Sequence, residues 1–120
     1  MQEGFLYTTK LWFAVHESSV IEDNETGRRR LKDVFHIATI DTRGKKAVAA
    51  FTDEDLAERF LEALGDPEMV CFATRTPDAL IELLENLQRS GYSLVAFDPM
   101  PKPVFVPLET VLKDVRREVG

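Results

Sequence analysis

The spacing of apolar residues changes at Phe51 and Thr52, and this change limits the folds open to the chain. Before it, residues 10–17 and 34–41 are rich in β-branched and aromatic residues and bounded by polar segments, which is typical of strands. After it, apolar residues recur at the spacing of one helix face: Leu56, Phe60, Leu61 and Leu64. The chain therefore predicts strands first and helices afterwards.

The rest of the chain continues this alternation. Further strands are predicted at residues 47–51, 69–73, 92–99 and 103–107, and helices at 53–64, 77–90 and 108–119. Residues 18–33 read as a long hairpin connection, with strand ends at its base. The order β-β-β-α-β-α-β-β-α predicts one α+β domain over residues 1–120, with a mixed sheet and helices packed mainly on one face.

Several helix ends carry clear signals. Thr52 is expected to cap the first helix, and Gly65 to end it. Thr76 is expected to cap the second helix, with Pro77 at its first position, where no amide hydrogen is needed.

Charge and cysteine content narrow the partners and the compartment. A net charge of -6 and a pI near 4.9 oppose binding to nucleic acid or anionic membrane, because phosphate backbones are held by Lys and Arg. The apolar run 11–15 is too short for a signal peptide or a membrane span, and the single cysteine suits a reducing compartment. A cytoplasmic protein is expected. Few amide residues and 30% charged residues favour a thermophilic source.

Four residues on predicted strands are candidates for a ligand site or an interface: Trp12, His16, His36 and Cys71. Alternation places Trp12 and His16 on one face. If the strands pair antiparallel, His36 joins them in a metal or proton-transfer site next to Cys71. The favoured alternative is strand-end histidines that are packed or solvated, and a buried structural thiol that is no nucleophile.

A basic cluster, Arg28, Arg29 and Arg30, interrupts the acidic chain in the predicted hairpin. One reading is a contact for a phosphate or an acidic partner. The other is a solvated hairpin tip.

Catalytic signatures are missing from the sequence. It contains no Walker loop, no GxGxxG, HExxH or GxSxG motif, and no paired CxxC. We therefore expect no enzyme, no cofactor and no bound metal.

Three segments together resemble a known family. They are Phe51-Thr52-Asp53-Glu54, Asp98-Pro99, and Phe105-Val106-Pro107 followed by Leu108-Glu109. The pattern resembles the N-terminal domain of the bacterial SseB-like (enhanced serine sensitivity) family, over residues 11–115. The resemblance implies a bacterial protein with that family's α+β fold, and it brings no catalytic residues, because its motifs are structural.

Three functions are consistent with these observations. The leading prediction is a non-catalytic protein-interaction module that self-associates through a sheet face or edge. The second is a small-molecule sensor or carrier, with a pocket beside Ala47, Ala49 and Ala50, although small residues also let a helix approach closely. The third, an enzyme that uses His16 or His36, has no supporting motif.

The proline-rich segment 97–107 has a structural reading. Its prolines at 99, 101 and 103 fall at every second residue, so the PxxP spacing of a displayed polyproline ligand does not occur. A stiff strand-turn-strand corner is predicted instead.

Overall fold

Strand β1 (Leu11–His16) is hydrogen-bonded along both edges in the computed structural model, which describes residues 10–27, 29–32, 34–99 and 102–119. On one edge β1 pairs antiparallel with β6 (Met69–Thr74). On the other edge Val15 bridges to Ile37, and Trp12 bridges to Phe51. The fold is therefore assembled around β1.

The remaining elements follow the predicted order. A hairpin joins β2 (Val20–Glu22) to β3 (Arg29–Leu31) after a short 3-10 turn at Glu17–Ser19. A four-stranded sheet has the order β4-β5-β7-β8, formed by β4 (Thr39–Thr42), β5 (Lys45–Ala50), β7 (Leu94–Phe97) and β8 (Val104–Pro107). The helices are α1 (Glu54–Leu64), α2 (Pro77–Arg89) and α3 (Leu108–Val119). Strands β5 and β7 are parallel and their other pairings antiparallel, so the predicted α+β class with a mixed sheet is confirmed.

Alternation along β1 sends its side chains into two separate cores. Leu11, Phe13 and Val15 pack with the buried residues of α2 and α3. Ala14 packs on the opposite side with Ala57 of α1. Two of the three helices thus share one face, as expected. The opposite face is not left open, however, because α1 covers it.

Small residues explain how α1 comes so close to the sheet. Ala14, Ala49 and Ala57 are all fully buried, at 0% exposure, in the cluster that also holds Phe51 and Phe60. Alanine leaves room for a helix backbone, and interiors are packed without large voids. Ala49 of β5 therefore supports the close-approach reading.

Two local predictions were wrong. The strand predicted at residues 34–41 begins only at Thr39, apart from the bridge at Ile37, and Val34 is 82% exposed. The cap of α1 is Asp53, whose Oδ1 accepts the amide of Asp55 at 2.8 Å. Thr52 is engaged elsewhere, and its tertiary contact outweighs the local capping preference.

That contact joins two of the three motif segments. The Asp98 carboxylate accepts the Thr52 amide at 3.0 Å through Oδ1 and the Thr52 hydroxyl at 2.9 Å through Oδ2. Asp98 follows β7 and Thr52 follows β5, so the contact lies where these two parallel strands end. Pro99, next in the chain, is buried. Two of the three segments that carry the family resemblance therefore meet in one hydrogen-bonded contact.

No helix in the described ranges is long and apolar enough to cross a membrane.

Candidate functional site

The outer edge of β6 presents unpaired backbone groups. The Glu17 amide donates to the Glu68 carbonyl at 2.8 Å, which sets the phase of the β1–β6 ladder. In an antiparallel ladder, hydrogen-bonded residue pairs alternate with pairs that are not hydrogen-bonded. The backbone amides and carbonyls of Val70 and Phe72 therefore point towards β1, whereas those of Cys71 and Ala73 point away from it. These outward groups make no backbone hydrogen bond to any described residue. Such an edge can accept another strand.

Strand β8, the edge of the larger sheet, differs in this respect. The Leu108 amide donates to the Ser93 carbonyl at 2.8 Å. Because hydrogen-bonded pairs alternate along the β7–β8 ladder, the backbone groups at positions 103, 105 and 107 point away from β7. Pro103 and Pro107 have no amide hydrogen, so only Phe105 offers an outward donor. The prolines protect this edge, although Val104 and Phe105 are 61% and 39% exposed.

A groove of about 810 Å³ runs along the outer edge of β6. Its walls are the β2–β3 hairpin, the beginning of α2 and part of α1. Apolar and cationic residues among those that line it are Trp12, Cys71, Phe72, Arg29, Arg30 and Arg75. We call this space the β6 groove.

Two of the predicted interface residues, Trp12 and Cys71, line the β6 groove. Trp12 lies opposite Ala73 in the ladder, and the Lys10 ammonium lies 5.1 Å from the centre of its ring. Cys71 lies opposite Ala14 and is partly buried. Burial raises the pKa of the Cys71 thiol, and the nearby carboxylates of Glu58 and Glu54 raise it further. The thiol stays protonated at neutral pH, which opposes a nucleophilic role.

Arginines of the basic cluster also reach the β6 groove. Arg29 and Arg30 line it from β3, and Arg75 lines it from the end of β6. Arg28 lies outside the described residues. In the part of the chain that the structure describes, none of the other three is in an ion pair. The same holds for the three glutamates that line the groove, Glu22, Glu54 and Glu82.

The two histidines meet at the other end of β1. Their rings lie 6.1 Å apart, edge to face, and the His16 amide donates to the His36 carbonyl at 3.0 Å. His16 Nδ1 accepts the Ser18 amide at 3.1 Å, so Nε2 carries the proton of the neutral ring and donates to Glu68 at 3.1 Å. Nδ1 thus caps the 3-10 turn, and Nε2 ties the end of β1 to Glu68, just before β6.

The structure therefore separates the four predicted residues into two pairs. Trp12 and Cys71 line the β6 groove, and His16 and His36 do not. Within the described ranges, no three His, Cys, Asp or Glu side chains are grouped so as to hold a metal.

Sequence reasoning missed Arg75 and the open edge of β6. A signal for Arg75 was available, because a charged residue stands between an apolar strand and a helix cap. The open edge had no signal, because strand order depends on residues far apart in the chain.

Comparison with known proteins leaves the family unassigned. No family model matches the chain, and no curated protein matches it either. The SseB-like resemblance remains a prediction that rests on its three motif segments, two of which meet at the contact between Thr52 and Asp98.

Proposed function

We propose that the chain is a non-catalytic protein-interaction module that receives an extended protein segment along the outer edge of β6. The observation that supports this most is that Cys71 and Ala73, whose outward backbone groups have no partner among the described residues, line the β6 groove. Strand addition uses main-chain hydrogen bonds for affinity and neighbouring side chains for specificity. With six residues, β6 offers about 20 Å of edge.

The side chains around the edge suit this role better than catalysis. Trp12, which is partly exposed, supplies apolar surface, and Arg29, Arg30 and Arg75 supply charges without a partner among the described residues. Aromatic and arginine side chains are the residues that most often anchor interfaces. The same proposal places the module in the cytoplasm, where the lone thiol stays reduced.

Peptide selection tests the proposal. Short random peptides would be selected against the folded protein, and their binding followed by the fluorescence of Trp12, the only tryptophan. We expect extended peptides that shift the emission of Trp12 and the amide resonances of Cys71 and Ala73.

Two variants make this test specific. Ala73→Pro removes one outward amide of β6 at a position where an edge strand tolerates proline. We expect the dissociation constant of the peptide to rise at least about two- to tenfold, because one hydrogen bond contributes about 0.5–1.5 kcal/mol. The proline ring also blocks the approach of the peptide, which weakens binding further. Phe105→Ala on β8 is the matched control and leaves affinity unchanged. Peptides that bind Ala73→Pro as tightly as the parent, or a monomeric chain for which no binding peptide is found, would refute the proposal.

A further inference from the structure

Resting on the proposed function, we infer that the segment received by β6 is the β6 strand of a second copy of this chain. The two strands run antiparallel about a two-fold axis at Ala73. The outward amides and carbonyls of β6 in each copy then hydrogen-bond to those of the other copy.

The charges of the β6 groove support a second copy over a strongly charged peptide. A two-fold interface brings one surface patch onto itself, so the patch must complement itself. The groove carries three arginines and three glutamates, and none of them is ion-paired within the described residues. A balanced groove on a chain of net charge -6 lets two acidic molecules approach there with little repulsion.

The register follows from the same residues. Cys71 and Ala73 point their backbone groups outward, and Arg75 continues the alternation past the end of β6. With Ala73 facing Ala73 of the second copy, Arg75 lies opposite Cys71 of that copy. Glu54 lines the groove together with Cys71. The unpaired guanidinium of each copy thus lies near an unpaired carboxylate of the other.

The protected edge of β8 explains why such pairing closes. If β6 of one copy paired with β8 of another, the first copy would still have a free β8 edge and the second a free β6 edge. Further copies could add at both ends and form an open chain of molecules. Pro103 and Pro107 remove the outward donors that this contact needs. Pairing of β6 with β6 uses the β6 edge of both copies, so no third molecule can add through β6.

Sedimentation velocity over a range of concentrations tests the inference. We expect a reversible dimer for the parent chain and a monomer for Ala73→Pro. Arg75→Glu is the second variant, because an exposed side chain can change without unfolding the strand, and it should raise the dimer dissociation constant at least tenfold. The double variant Arg75→Glu/Glu54→Arg should recover most of that loss, and Lys113→Glu, on the exposed side of α3, should lose nothing.

A cross-link tests the axis directly. In the variant Cys71→Ala/Ala73→Cys, the two thiols face each other across the axis, and oxidation should give a covalent dimer. The parent chain, with Cys71 opposite Arg75, should give none.

The outcomes separate the two proposals. A monomer at every concentration that still binds selected peptides at β6 would overturn this inference alone. A monomer that binds no peptide would overturn both proposals. A dimer that Ala73→Pro and Arg75→Glu leave intact would show that the interface lies elsewhere.

Discussion

Asp98 connects the end of β7 to the end of β5 and to the segment that leads into α1. Its φ of 45° is in the left-handed region, which costs most residues about 1–2 kcal/mol and costs Asp less, because a short polar side chain can bond locally. Its carboxylate holds both the amide and the hydroxyl of Thr52. Its amide donates to the Ala50 carbonyl at 2.9 Å. The strained backbone is thus balanced by three hydrogen bonds.

Replacing this carboxylate should destabilise the fold. We expect Asp98→Ala to lower the free energy of unfolding by about 2–4 kcal/mol, because two hydrogen bonds are lost and alanine is strained at this φ. Asp98→Asn should lose less, since it keeps one acceptor and tolerates the conformation. Urea denaturation measures both, with the exposed Asp41→Ala as control. Equal losses for Asp98→Ala and Asp41→Ala would show that this connection contributes nothing.

The thiol of Cys71 gives a pH-dependent prediction. Because folding raises its pKa, alkylation by iodoacetamide should reach half its maximal rate at a higher pH in the folded protein than in urea. Glu54→Gln and Glu58→Gln should each lower that pH, since each removes a negative charge that opposes the thiolate. Between the unfolded and folded pKa values the native state binds more protons, so stability should fall as pH rises there. A lower midpoint in the folded protein would contradict this account.

At the scale of elements, the outer strands β6 and β8 show how backbone donors decide which edge is open. Strand β6 has outward amides at Cys71 and Ala73, whereas β8 has prolines at two of its three outward positions. Both strands are apolar, so hydrophobicity does not distinguish them. The difference lies in hydrogen-bond donors, which proline lacks.

Restoring the donors of β8 should therefore open a second edge. We expect Pro103→Ala/Pro107→Ala to form assemblies larger than the parent's, because β8 then accepts a strand as well as β6. Light scattering against concentration measures this. Pro67→Ala, in the exposed turn before β6, adds an amide away from any sheet edge and serves as control. Assemblies no larger than the parent's would mean that the prolines do not protect the edge.

At the scale of the whole molecule, helices cover both sides of β1. Helices α2 and α3 enclose one core, and α1 encloses the other with a stripe of alanines. Both faces of β1 therefore pack against helices in the part of the chain that the structure describes. Any self-association is left to an edge.

The buried residues Ala14, Ala49 and Ala57 lie where α1 packs on the sheet, and we expect no room there for a larger side chain. Ala57→Leu should lower the free energy of unfolding by about 1–3 kcal/mol, because added volume forces α1 away from the sheet. Ala63→Leu, on the exposed side of the same helix, should change it by less than about 0.5 kcal/mol. Urea denaturation compares the two. Equal effects would mean that space remains beside the alanines, as the small-molecule hypothesis requires.

Local signals in the sequence predicted the elements well. Thr76 caps α2 by accepting the Ala79 amide at 3.1 Å, with Pro77 at the first position, and Gly65 ends α1 at a φ of 73°. These features depend on residues a few positions apart, where backbone sterics and capping bonds decide the outcome. Thr52 was misassigned because its partner, Asp98, lies 46 residues away.

The candidate site shows the same division. The sequence by itself determined the α+β class, the order of the elements, the candidate residues Trp12 and Cys71, and the positions of the prolines around β8. Only the tertiary structure decided that β6 is an outer strand, that Arg29 and Arg75 share its groove, and that His16 and His36 lie apart from it. The reason is physical: propensity and capping act over a few residues, whereas strand order depends on which apolar faces can be buried together across the whole chain.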